Sequence, residues 1–267
     1  MRPCPAVRRG LSVLAVVVLA GTATGCGGGP AAVDPVPATS ASTPAQVGDA
    51  RVELAARAAL AQDRSATALY TLDSGGTQRS VVATTATDGS WRVDIPGGAL
   101  GGTADVSIVR IEAGIFQCSL TSATRPVAST CVKVADTDER VPRRYDPKVQ
   151  RIFHDWLTVF TDRRAALSVS TARPLSGAQG SCFAVDSISA SLKAPVDVGI
   201  YCYTDDGLLT AARVDYGELR LAATPAAAPP SVDLPGPVVA GEPMGMEAPP
   251  PPPPPAPSDP APSASAP

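Results

Sequence analysis

Histidine is nearly absent from this chain of 267 residues: His154 is the only one. Without a second imidazole, His-paired metal sites and most proton relays lack their parts. The sequence also contains no G-x-S-x-G elbow, no G-x-x-x-x-G-K loop, no H-E-x-x-H and no C-x-x-C, so no spacing that carries nucleophilic, phosphate-binding, zinc or thiol redox chemistry is present. His154 is expected on the polar side of a helix beside Asp155; adjacent helical residues point apart and make no relay. Catalytic residues, metal ligands and cofactors are therefore not expected, and the protein is read as a non-enzyme. Aromatic residues make up 4 % of the chain, which leaves few rings to line a large apolar cavity. There is no basic excess, with 22 basic against 25 acidic residues spread along the chain, so a nucleic-acid site is not expected.

Long hydrophobic runs are also missing, apart from Leu11 to Ala20, which is too short to span a bilayer. Arg8 and Arg9 precede that run and Ala23-Thr24-Gly25-Cys26 follows it, the order of a secretory signal. The Arg pair also suits twin-arginine export, but its flanks match that pattern less well than they match ordinary secretion. The cysteine after small residues resembles the lipobox of bacterial lipoproteins. That resemblance implies cleavage after residue 25, a diacylglyceryl thioether on Cys26, and a protein tethered to the outer face of the cytoplasmic membrane. Loss of Arg2, Arg8 and Arg9 with the leader takes the basic residues from 22 to 19 against 25 acidic ones, so the lipid, not a polybasic segment, is the expected anchor.

Both ends of the mature chain read as unfolded. Residues 26–42 are Gly, Pro, Ala, Ser and Thr with few large side chains, too little apolar area to offset ordering entropy. Such a tether spans about 20 to 25 Å. Residues 224–267 return to Pro and Ala, with an unbroken run from Pro249 to Pro255 that favours polyproline II; a spacer is the commoner meaning of such a tail, a ligand for an aromatic groove the rarer one.

Residues 43–223 are the size of one domain. Thr43-Pro44-Ala45-Gln46 predicts a capping-box start for a helix running to about Gln62. A second helix is predicted from Pro147 to about Asp162, capped by Asp146, with Val149, Ile152, Phe153, Trp156, Leu157 and Phe160 on one broad face. Short β-rich runs fill the gaps: 68–72, 80–87, 91–95, 106–111, 115–120, 166–172, 182–185, 198–203, 208–214 and 219–222. Gly75-Gly76, Asp88-Gly89, Ala113-Gly114, Asp206-Gly207 and Tyr216-Gly217 separate several of them as hairpin turns. Thr204-Asp205-Asp206-Gly207 looks like part of a calcium loop but lacks the alternating ligands and closing Glu, so it too reads as a turn. The predicted fold class is α+β, an antiparallel meander covered by two helices.

Cys4 leaves with the leader and Cys26 is committed to lipid, so Cys118, Cys131, Cys182 and Cys202 remain. Four thiols allow three connectivities; proximity and the hairpin pattern favour Cys118 with Cys131 and Cys182 with Cys202.

The lipobox, the capped first helix, the meander, the amphipathic second helix and the closing hairpins together resemble the LolA-like and LppX/LprG-like lipoproteins of actinobacterial type. The segments Gly180-Ser181-Cys182-Phe183 and Gly199 to Gly207 resemble uncharacterised actinobacterial lipoproteins. The resemblance implies a strongly curved half-barrel with its helices on the concave side, whose hollow holds a lipid or acyl chain. Trp91, Phe116, Phe153, Trp156 and Phe160 are the candidate lining residues, with the second helix as lid. The alternative is an envelope sensor or scaffold that binds a partner protein and no small molecule. A hollow too small for an acyl chain favours that alternative.

Overall fold

Apolar residues near every second position drive much of the domain into short strands. The computed structural model describes residues 47–123, 125–188 and 194–251. The expected leader and tether, Cys26, the expected capping box Thr43 to Gln46 and the end of the tail lie outside the described residues. Helix α1 (Val47–Gln62) comes first. It is followed by β1 (Ala66–Ser74), β2 (Thr77–Thr85), β3 (Trp91–Ala99), β4 (Ala104–Ile111), β5 (Gly114–Ser119) and β6 (Cys131–Ala135). After α2 (Asp155–Thr161) come β7 (Leu167–Ala172), β8 (Ser181–Ser187), β9 (Gly199–Tyr203), β10 (Leu209–Val214), β11 (Gly217–Leu221) and the two-residue β12 (Ala226–Ala227). Among the described residues no helix is long and apolar enough to cross a membrane.

The sheet order is β6-β5-β4-β3-β2-β1-β11-β10-β9-β8-β7. It consists of two up-and-down meanders joined where β1 pairs antiparallel with β11, Tyr70 opposite Leu221. The end strands β6 and β7 do not meet, so the sheet is open. This is the expected α+β curved sheet with two helices. Hairpin turns fall where glycine supplies positive φ, as at Gly75 (60°) and Gly76 (83°).

The period of two sorts side chains onto an inner face, toward the helices, and an outer face. Tyr70, Val93, Ile108, Phe183, Tyr201 and Leu219 point inward and join the main core with Ile152, Trp156, Leu157 and Phe160 from the helical segment. The outer face carries both disulfides. Cys118 is paired with Cys131 directly across β5 and β6; Cys182 is paired with Cys202 directly across β8 and β9. The connectivity is the one that sequence proximity favoured. Each bridge anchors a small apolar patch, the first with Val109, Phe116 and Val232, the second with Leu175 and Ala211. A loop covers the second patch: the Thr210 hydroxyl donates to the Gln179 carbonyl at 2.7 Å and accepts its N–H at 3.2 Å.

Three expectations are corrected. The second helix is not continuous: a 3-10 helix at Val149–Phe153 gives way at His154 (φ −138°, ψ −71°) to α2. Asp146 is not its cap: the N-cap is Lys148 (φ +64°), with no side-chain cap, and Asp146 Oδ1 instead accepts from the Lys148 N–H at 2.8 Å and from Gln150 Nε2 at 2.7 Å in the turn before it. Secondly, the break turns His154 inward, so the imidazole lies flat on Trp91 with centroids 4.2 Å apart and rings 13° from parallel. It is not a surface histidine.

The third correction is the largest: residues 224–251 are not a free tail. After β12, which pairs with Ala66 and Thr67 of β1, the chain crosses the outer face as a strap. Proline has no N–H but keeps a good acceptor. Accordingly Pro229 accepts from Thr87 N–H at 3.0 Å, Pro230 from Asp88 at 3.2 Å and Pro237 from Cys131 at 2.9 Å. Val232 fills the patch beside the Cys118–Cys131 bridge, and Val238 pairs parallel with Cys131 at the β6 edge, which covers that edge. Gly236 permits the passage, because a Cβ there would lie 2.0 Å from the Ser129 carbonyl oxygen.

Candidate functional site

The inner hollow is filled. Trp156 meets Tyr201 edge-on at 5.9 Å and 88°, Phe160 meets Tyr201 at 5.0 Å and 71°, and Phe153 contacts Tyr70 at 5.0 Å. The partly open, mainly apolar space that remains beside Tyr70, Ala83, Ile152, Leu157 and Tyr203 measures about 60 Å³. The Tyr70 hydroxyl donates to the Leu209 carbonyl at 3.1 Å, while the buried hydroxyls of Tyr203 and Tyr216 have no protein partner among the described residues. Burial pushes all three phenols up, so they are neutral at any physiological pH.

His154 occupies the same layer. Its Nε2 is buried without a partner among the described residues, and desolvation, then the Arg110 cation, holds its pKa down to about 3. A neutral ring stacked on an indole, with no nucleophile bonded to it, is a packing element.

A groove lies beside the strap, where β3 bends and the 3-10 turn Arg143–Tyr145 approaches. This groove of about 580 Å³ has Leu72, Ile95, Val149 and Met246 as apolar walls and Arg79, Arg143 and Lys148 as cations. The bend exists because β3 slips register against β4 between Ile95 and Ala99, and Gly97 (φ +61°) leaves room there: a Cβ would fall 2.7 Å from the Arg79 guanidinium. Arg79 donates to the Gly97 carbonyl at 3.3 Å. Among the described residues neither Arg79 nor Arg143 forms an ion pair, whereas Lys148 is 2.9 Å from Asp215 Oδ2 and 3.9 Å from Asp197 Oδ2. Burial and the neighbouring Asp215 carboxyl push Asp197 up to about 6; its hydrogen bond with Asp197 holds Asp215 below the usual carboxylate range. Asp146 is already satisfied by Lys148, Gln150 and Arg151. The groove therefore presents apolar walls with two uncompensated guanidinium groups, suited to a ligand with anionic and apolar parts. Among the described residues no cluster of three metal-ligating side chains forms.

The strap closes one end of this site. From the β6 edge it turns to the inner face, where Met244 and Met246 pack against the main core. Gly245 and Met246 carbonyls accept from Leu100 and Gly101 at 2.9 and 2.8 Å, and Met246 N–H donates to Arg144 at 3.0 Å. Gln117, inward-facing on β5, bonds the backbone of Met244 through both its side-chain atoms.

Of the five proposed lining residues, Trp91, Phe153, Trp156 and Phe160 are brought together on the inner face. Phe116 lies on the outer face beside the Cys118–Cys131 bridge, one residue out of phase with Ile115. Cys26 lies outside the described residues. Sequence reasoning missed Arg79, Gln117, Arg143, Met244 and Met246. Two signals were available: Gln117 is a polar residue at an inward position between Ile115 and Ser119, and two of the three methionines in the chain stand in the Pro-rich tail. No protein-family model matches this chain, and no curated protein matches it either.

Proposed function

We propose that the chain is a membrane-anchored extracytoplasmic lipoprotein whose curved-sheet domain binds a partner protein in the cell envelope, and is not a lipid carrier. The observation that carries this reading is the filled inner hollow. Sites for small organic ligands run to about 300–1,000 Å³, whereas the space left among the inner-face side chains beside Tyr70 and Leu157 is about 60 Å³. Each acyl methylene buried is worth about 0.8 kcal/mol, and a carrier gains that only if there is room. Here Trp156, Phe160 and Tyr201 occupy the space themselves. The surface groove with Arg79 and Arg143 is open for recognition, and its mixed chemistry suits a segment of another protein. Location rests on the leader and on Cys26, followed by a tether long enough to hold the domain just off the headgroups. The test is photocrosslinking in intact cells from a benzophenone side chain placed at position 143. A discrete protein adduct that disappears with Arg79→Ala is the expected result; crosslinks to lipid alone would overturn the reading.

A further inference from the structure

We infer that the segment Glu242–Glu247 is a displaceable peptide ligand seated in cis, and that its seat accepts from a partner an extended acidic segment with methionines at alternate positions. The inference rests on the reading of the protein as a partner-binding module and names the chemistry that module recognises. The segment is held as bound peptides are held: main-chain hydrogen bonds along its length and pockets for alternate side chains. Gly245 and Met246 carbonyls accept from the Leu100 and Gly101 N–H groups at 2.9 and 2.8 Å, and Met246 N–H donates to Arg144 at 3.0 Å. Met244 and Met246 go into the core side and Gly245 lies between them. Glu242 supplies the acidic group, accepting from the Tyr145 hydroxyl at 2.9 Å and standing 3.5 Å from Arg144.

The seat does not depend on the segment for its own construction. Its walls are the turns Leu100–Gly102 and Arg143–Tyr145, and the β3–β4–β5 ladders are complete without it. Methionine is unbranched and adapts to irregular pockets, Met244 and Met246 are only partly buried, and the Glu242–Arg144 pair is largely in solvent. A tethered ligand competes at an effective concentration in the millimolar range, so a free segment of the same chemistry binds the intact protein weakly and binds strongly once the tether's own methionines are disabled.

The experiment uses the full chain. A fluorescent peptide spanning residues 239–248 is titrated by anisotropy against the wild-type protein and against M244D/M246D. The expected result is binding to the variant at least tenfold tighter than to the wild type, abolished when the peptide carries the same two substitutions. Equal affinity for both proteins, or none for a folded variant with both disulfides formed, overturns the inference. Should the variant fail to fold, hydrogen exchange on the wild type decides: Leu100, Gly101 and Met246 amides exchanging tenfold or more faster than those of β4 support release of the segment, and a common rate overturns it. A negative result here leaves the crosslinking test at position 143 standing, so failure of the latch and failure of the partner-binding reading are told apart.

Discussion

Gln117 grips the backbone of Met244 in both directions: its Nε2 donates to the Met244 carbonyl at 2.9 Å and its Oε1 accepts the Met244 N–H at 2.6 Å. The same Nε2 also donates to the Tyr145 carbonyl at 3.1 Å. One buried amide, 2 % exposed, thus ties β5, the turn at Tyr145 and the strap together. Gln117→Ala strands three backbone groups, and buried groups without partners cost about 1–3 kcal/mol each. Because the strap can detach and regain water, a net loss of about 2–3 kcal/mol is expected, read from urea denaturation, with faster exchange at the Met244 amide. Unchanged stability would refute the coupling.

Trp156 distinguishes a core from a cavity wall. It is 2 % exposed and packed between Tyr201 and Tyr216. Trp156→Ala is expected to cost about 3–5 kcal/mol, the range for large aromatic deletions in packed cores, and Trp156→Asp to abolish folding. A variant that folds as stably as the wild type but loses a bound lipid would contradict this account.

Acid sensitivity follows from His154. Its folded pKa of about 3 lies below the ordinary value near 6.5, so the unfolded chain takes up the proton first. The contribution to stability is complete above about pH 6.5 and is lost as pH falls toward 3. Asp197 acts in the opposite sense: its folded pKa of about 6 exceeds the ordinary carboxylate value, so its contribution fades as pH rises from about 4 to 6. The two oppose each other across that window, and the difference between wild type and His154→Phe isolates the first. Thermal melts from pH 4 to 7 are expected to show a smaller acid loss in the variant; parallel curves would exclude the mechanism.

The two disulfides close loops of 13 and 20 residues, which in the chain-entropy model corresponds to about 3 kcal/mol each. The patches they anchor share no residue, so replacing each pair by alanine should destabilise additively. Urea midpoints of the two double variants and the quadruple variant test this, and a loss under about 1 kcal/mol for either pair would show that the loop argument fails here.

Most of the sheet was legible in the sequence because its cues were local. Glycine-bearing turns at 75–76, 88–89, 113–114, 206–207 and 216–217 bracket strands that the structure places within a few residues of expectation. β6 was readable only through Cys131, since five residues between loops carry little periodic signal. What escaped was non-local. No local rule breaks the 147–162 segment at His154; the stack on Trp91 and the three bonds to Asp146 decide its path. The strap was misjudged because its average composition hides spaced anchors, Val232, Val238, Met244 and Met246, and because proline carbonyls bond as well as any others. The groove depends on Gly97, Arg79 and Arg143, brought together by a register slip that has no signature in sequence.

Occupancy of the inner hollow is the point on which the functional account turns. The decisive measurement is native mass spectrometry, with organic extraction of the same sample, on the exported full chain carrying Cys26→Ser. The account expects the mass of the polypeptide alone, with two disulfides formed and no stoichiometric lipid in the extract. A lipid recovered at one per folded chain would contradict it and return the protein to the carriers.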